Sequence, residues 1–214
     1  MTEFIIISLV IGLIPLLLLF FNELDNNKIA GIYPFVIVVF IASLYELIFT
    51  FYFKFDVTIW FIVYDILAFG SIHFFFFKLL ENQKKSLFIV LTLLFVVLFN
   101  LLHNNLSVYS NINFFIKNSI LNIFQSLTFL FLSILWFRKI FNELKEDNLY
   151  RNSNFYFVSG FNISYSGTVL LFLMSNYVSE IDPALFSDFW ILNVVLNLIL
   201  RILLIIGIWK ARVK

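Results

Sequence analysis

Residues 189–214 read FWILNVVLNLILRILLIIGIWKARVK. The apolar run from Phe189 to Trp209 is long enough for a helix to cross a bilayer, whose core needs about 20 mostly apolar residues. The basic KARVK that follows suits a cytoplasmic anchor. Arg201 breaks the pattern. It is a permanent charge inside the run, and an ionisable residue within a span is a functional-site hypothesis by default. The rest of the chain has to account for it.

The 214 residues are 62% hydrophobic and 13% charged, with a mean hydropathy of +1.01. An average soluble domain is about 45–50% apolar and about 25% charged, so composition alone assigns the chain to the membrane class. With Phe 31 and Gly 6, the protein is bulky, and glycine-driven helix packing is expected to be limited. The absence of cysteine excludes disulfides, thiol catalysis and cysteine metal sites. A net charge of +1 gives no reason to expect nucleic acid. The N-terminal MTEFIIISLVIGLIPLLLLFF lacks a positive leader and a cleavage site, so it reads as a retained span.

Seven segments meet the length requirement: 2–21, 31–53, 59–79, 86–102, 114–137, 154–175 and 188–209. The polar HNNLSVYSNIN separates the fourth and fifth, and Lys54 and Asp56 mark a tight turn between the second and third. With the N-terminus outside, the cytoplasmic segments hold Lys28, Lys78, Lys84, Lys85, Arg138, Lys139, Lys145, Arg151, Lys210, Arg212 and Lys214, and the external ones only Lys54. Short Lys/Arg-rich loops stay cytoplasmic. The expectation is therefore an all-α integral membrane protein: one domain, 1–214, forming a seven-transmembrane-helix bundle with its N-terminus outside and C-terminus cytoplasmic, in a cell membrane of the bacterial inner-membrane kind.

Trp60, Trp136, Trp190 and Trp209 each fall near a span end, where the indole N–H is expected to meet headgroups. Tyr45, Tyr64 and Tyr165 lie within spans and need hydroxyl partners. The mixed-charge RKIFNELKEDNLYRNSN is expected to prolong the fifth helix into the cytoplasm. The N-x-S site at Asn105 matters only in a eukaryotic secretory pathway.

The ionisable residues inside spans are Glu46, Asp65, His73, Lys117 and Arg201. Helix rise places Glu46 and Asp65 at similar depths on consecutive helices, about 10 Å from the outer end. Two such carboxylates cannot both ionise cheaply in a low-dielectric site unless a cation or water serves one of them. Polar side chains recur at helical spacing on several spans: Ser43, Glu46 and Thr50; Asn118, Asn122, Gln125 and Ser126; Asn162, Tyr165 and Ser166; Asn193, Asn197 and Arg201; Asn100 and His103. Hydrocarbon offers no hydrogen bonds, so such stripes need a partner helix or water. One reading turns them toward a polar cavity open to the outside. Its candidate ligand-binding residues are Glu46, Asp65, Asn122, Gln125, Tyr165, Asn193, Asn197 and Arg201. The other reading makes the neutral residues interhelical glue, each worth about 0.6 kcal/mol. His73 reads as a packing residue and Lys117 as a cation snorkelling to the interface.

Arg201 lies about 10 Å deeper than the two acids. Three readings stay open for it: an ion pair with an acid, a cavity-floor arginine bonded to Asn197, carbonyls or water, or snorkelling to the cytoplasm.

Several chemistries lack their residues. Retinal binding of the microbial kind needs a lysine within the seventh helix, where this chain has Arg201. With His 2, a clustered metal site lacks ligands. There is no H-E-x-x-H and no phosphate-cradling glycine loop. Pro15 is followed by Leu16, so the Pro-Gln pair of sugar-transporting bundles is missing. No enzyme, catalytic residue, metal or cofactor is expected.

Two stretches, NFYFVSGFNISYSGTVLLFLMSN and FWILNVVLNLILRILLIIGIWK, resemble uncharacterised bacterial seven-helix proteins and the seven-transmembrane input regions of some sensor histidine kinases. The resemblance covers the last third of the chain and transfers no catalytic residue. It implies a sensor or accessory subunit that binds a small ligand, ion or lipid. Only KARVK follows Trp209, so the expected output is a separate partner, such as a membrane histidine kinase, meeting residues 138–153 and 210–214. Two alternatives remain: a small transporter or channel coupled through Glu46 and Asp65, and a structural scaffold.

Overall fold

The computed structural model describes residues 2–21, 29–55, 58–80, 85–103, 111–143, 149–181 and 183–212. Lys28, Asp56, Lys84, Asn105, Lys145 and Lys214 lie outside the described residues, as do most of the separator after His103 and part of each proposed partner-facing segment. The Lys117 side chain is likewise outside the description.

Among the described residues seven helices are long and apolar enough to cross a membrane. They are α1 (Thr2–Phe21), α2 (Tyr33–Tyr45) taken with the segment that prolongs it to Tyr52, α3 (Thr58–Leu79), α4 (Lys85–His103), α5 (Asn111–Glu143), α6 (Ser153–Ile181) and α7 (Pro183–Lys210). Each expected span falls on one of them, within a few residues. α2 continues as a π-helix over Glu46–Tyr52, a feature the sequence pattern did not announce. Pro34 and Pro183 stand in the first turns of α2 and α7, where a missing N–H costs nothing. α5 runs past the apolar span to Glu143, so RKIFNE prolongs it as expected.

Bulky apolar side chains such as Ile7, Leu17, Ile41, Val97, Leu127, Leu170 and Leu192 are exposed around the bundle. Monomers in water rarely expose apolar patches beyond a few hundred Å², and a lipid solvent removes that penalty. α6 and α7 form the most extensive helix pair, α5 packs on α6, and α1 closes the bundle against α7 and α2. α4 is peripheral and meets α5 and α3.

The α6–α7 interface corrects the expectation about glycine. A Cβ at Gly167 would come 2.5 Å from Leu196 Cδ1, and one at Gly207 would come 2.3 Å from Phe157 Cε1. At Gly160 it would meet Leu200 Cδ1 at 3.0 Å. Half of the six glycines therefore receive a large side chain across this one interface. Few glycines suffice when each takes a knob from the opposing helix.

The interior divides along the bundle axis. One half is an aromatic plug: Phe35, Phe75, Phe76, Phe157 and Phe161 are fully buried with Ile72, Leu204 and Ile208. The rings meet edge-on or tilted, with Phe35 and Phe161 centroids 5.1 Å apart and Phe75 and Phe161 5.6 Å apart, arrangements that aromatic pairs prefer. Trp136 belongs to this half and is 3% exposed. That overturns its expected place among headgroups. Position near a span end does not decide which face of the helix carries the indole. The other half of the bundle is hollow.

Candidate functional site

The hollow half encloses a cavity of about 360 Å³. Six helices build it. α1 gives Ser8, α2 and its π extension give Glu46 and Thr50, and α3 gives Trp60, Tyr64 and Asp65. α5 gives Asn118, Asn122 and Gln125, α6 gives Ser164, Tyr165 and Thr168, and α7 gives Trp190, Asn193, Asn197 and Arg201. The eight residues singled out from sequence all line this one space. α4 contributes no lining residue.

Helical periodicity explains the division into halves. On α7, Asn193, Asn197, Leu200 and Arg201 meet the cavity, and the same face continues as Leu204, Ile208 and Ala211 in the plug. α3 reads the same way, from Tyr64, Asp65 and Ala68 to Phe69, Ile72 and Phe76. One stripe per helix changes from polar to aromatic at the same level.

Arg201 stands at that change of level. Its Nη1 donates to the Ser8 carbonyl oxygen and to Ser8 Oγ, the latter at 3.0 Å. No ion pair within 4.0 Å joins it to an acid among the described residues. The cavity-floor reading with a carbonyl partner therefore holds, and the direct acid pair and cytoplasmic snorkelling are set aside. Gly12 makes the contact possible. A Cβ there would lie 2.2 Å from Ser43 Oγ and 3.1 Å from Arg201 Cζ. The missing side chain, one turn beyond Ser8, opens the path to its carbonyl.

The acids are placed differently. Asp65 is buried at 4% exposure, and its Oδ2 has no hydrogen-bond partner. Its backbone carbonyl accepts from Gln125 Nε2 at 3.3 Å, and the Asn122 side chain lies beside its carboxyl. Glu46 opens the π segment and faces Arg201 across the cavity without touching it. Tyr64 lies within electrostatic reach of Arg201, Glu46 and Asp65.

The amides hydrogen-bond back to their own helices. Asn122 Nδ2 donates to the Asn118 carbonyl at 2.9 Å. Asn197 Nδ2 donates to the Asn193 carbonyl at 2.9 Å and to Asn193 Oδ1 at 3.2 Å. Each amide oxygen keeps acceptor capacity, and the second N–H of Asn122 is left to the neighbouring Asp65 carboxyl. Asn118 Oδ1 and Thr50 Oγ1 are buried without partners. The lining is thus rich in acceptors, with one cationic donor at the floor.

Aromatic residues wall the end away from the plug. Trp60 stacks on Tyr45 at 4.3 Å, and Trp190 meets Phe172 edge-on at 5.9 Å. Both half-buried indoles line the cavity. Only Trp209 of the four is strongly exposed, at 56%, with the Arg212 guanidinium 3.6 Å over its ring.

Sequence reasoning misplaced several residues. Asn162 and Ser166 are not cavity-lining; Ser166 is exposed and bonds to the Ile163 carbonyl. Asn100 is exposed and bonds to the Val96 carbonyl at 2.8 Å. Ser/Thr/Asn can satisfy themselves on the preceding turn, so spacing alone does not separate a lipid-facing stripe from a cavity-facing one. The His103 side chain lies outside the description. His73 packs as expected: Nε2 is 3.2 Å from the Phe88 carbonyl and 3.1 Å from Thr92 Oγ1. Ser8, Trp60, Tyr64, Ser164, Thr168 and Trp190 were missed as site residues. The available signals were Gly12 one turn from Ser8 and the Trp60, Tyr64, Asp65 spacing.

Comparison with protein-family models, with curated proteins and with solved structures finds no match. The functional reading therefore stands on the site itself.

Proposed function

We propose that this chain is a multi-pass membrane protein, N-terminus outside, that works as a sensor or accessory subunit. It binds a small ligand in the polar cavity and signals to a separate protein through residues 138–153 and 210–214. The observation that carries the reading is one shared cavity, into which six helices turn polar side chains including Glu46, Asp65 and Arg201. A concave site with a few convergent polar groups in an otherwise apolar setting is the usual form of a ligand pocket, commonly about 300–1,000 Å³. The Lys/Arg distribution supports the orientation, which makes the cavity outward-facing.

The plug favours a receptor over a transporter. Beyond Arg201 the interior is filled by Phe35, Phe75, Phe76, Phe157 and Phe161. Ser71 and Ser133 in that half bond to carbonyls of their own helices. A transport path needs hydration or charge through this layer. α6 and α7, which carry much of the cavity wall, also lead to the cytoplasmic ends, so ligand-dependent repacking there reaches a partner directly.

Photocrosslinkers at Lys139, Arg151 and Lys210 in native membranes test this. One recurring membrane-protein partner is expected, and proteoliposomes of the pure chain are expected to show no solute or proton flux. Flux that Glu46→Gln removes would replace the sensor with the transporter. Repeated failure to capture a partner would leave a scaffold or binding role without signalling.

A further inference from the structure

We infer that the ligand is a small zwitterion, carrying an ammonium and a carboxylate on one compact skeleton, as an α-amino acid does. This rests on the ligand-binding reading above and adds the class of ligand.

The argument begins with charge. Glu46, Asp65 and Arg201 share one cavity, yet Arg201 makes no ion pair with either acid among the described residues. Its guanidinium is tied by Nη1 to Ser8 on α1, and the rest of its donors have no acceptor among the described residues. Asp65 Oδ2, on the other side, is a buried acceptor without a donor. Opposite charges are held apart in a space of ligand size. Unpaired charges in an apolar interior are costly, and whatever fills the space settles that cost.

Neither simple ion fits. A plain cation would meet the acids but face Arg201, and a plain anion would meet Arg201 but face two carboxyls. A zwitterion answers both ends. Its carboxylate takes the free edge of the Arg201 fork, a geometry suited to paired N–H···O bonds. Its ammonium, with three donors and no acceptor, matches the Glu46 and Asp65 carboxyls and the oxygens of Asn118 and Asn122. Asn118 Oδ1 is buried without a partner, and Asn122 spends one N–H on its own helix at 2.9 Å. The walls at Trp60, Phe172 and Trp190 leave an aromatic-lined space for an apolar side group.

The test uses the full chain in nanodiscs, with thermal stability and tryptophan fluorescence as readouts. Trp60 and Trp190 line the cavity, so occupancy reaches them directly. The probes are the twenty common L-amino acids; for the best of them, the decarboxylated amine and the deaminated acid of the same skeleton are then compared. At least one amino acid is expected to bind saturably, and each half-molecule at least about tenfold more weakly. Arg201→Lys should abolish the preference for the amino acid over its amine, and Glu46→Gln the preference over its acid. Thermal melts of the unliganded variants check that both fold, and the isosteric Asp65→Asn offers a second change at the ammonium end, expected to weaken the amino acid and its amine alike.

An amine that binds as tightly as the amino acid would overturn the inference in favour of a cation site, and an acid that does so in favour of an anion site. Both leave the ligand-binding reading intact. Binding of no amino acid, with another small molecule found on the protein by native mass spectrometry, would also overturn the zwitterion alone. Binding of none, with no small molecule retained, would overturn both.

Discussion

Arg201 is held by a backbone carbonyl, and a backbone partner leaves no trace in a residue-by-residue reading of charges. Depth along the helix had already separated it from Glu46 and Asp65, which is why an acid pair was only one of three readings. The partner lies on α1, whose Ser8 belongs to none of the polar stripes read from the sequence. Gly12 is the residue that exposes Ser8, and it supplies a test. Gly12→Ala brings a Cβ to 2.2 Å from Ser43 Oγ and 3.1 Å from Arg201 Cζ, so it is expected to destabilise by about 1–3 kcal/mol, as overpacking does. Ser43 Oγ has no hydrogen-bond partner, so Ser43→Ala alone should change little. The double variant should recover much of the loss, read as a non-additive cycle in thermal melts. Strict additivity would mean that the two side chains do not compete for this space. The candidate acids and amides were legible because polar side chains in an apolar run are few. Their hydrogen-bond directions were not, since an Asn that bonds to its own helix and one that bonds across the bundle have the same spacing.

The element that departs most from pattern is the π-helix at Glu46–Tyr52. Hydropathy runs straight through it, and Ser43, Glu46 and Thr50 keep a spacing that reads as ordinary helix. Its signature is in the backbone, where Phe53 N reaches five residues back to the Ile48 carbonyl at 3.1 Å. Such widened turns are rare and concentrate at functional sites, and this one begins on a cavity acid. Lys54 ends it with φ 54°, a left-handed conformation that costs a residue with a side chain about 1–2 kcal/mol. The segment holds no buried residue, and a part with few buried contacts opens more readily. Amide exchange over Glu46–Phe53 is therefore expected to run faster than over Val169–Met174 of α6. It should slow when the cavity is filled. Equal protection in both segments would remove the π-helix as a compliant part of the site. The α6–α7 interface teaches the same lesson in reverse: a count of six glycines suggested little small-residue packing, and their placement overrode the count.

For the whole molecule, the architecture followed from hydropathy, because a bilayer-length requirement acts on each segment separately. Seven spans needed no knowledge of which helix touches which. The partition into a polar half and an aromatic plug did need it. Trp136 and Trp190 sit near span ends alike, yet one is core and the other cavity wall, and only the rotation of α5 and α7 within the bundle decides this. In the proposed arrangement the cavity is wet and reached from the N-terminal side, while the plug beyond Arg201 is dry. The chain has no cysteine, so single substitutions give unambiguous labels. Ser164→Cys and Asn193→Cys place a thiol in the cavity, and Val158→Cys and Leu204→Cys place one in the plug. With a charged, membrane-impermeant thiosulfonate added outside intact cells, the account predicts rapid labelling of the first pair and background labelling of the second. Equal labelling of both pairs, or labelling of the cavity positions only from the cytoplasmic side, would contradict it.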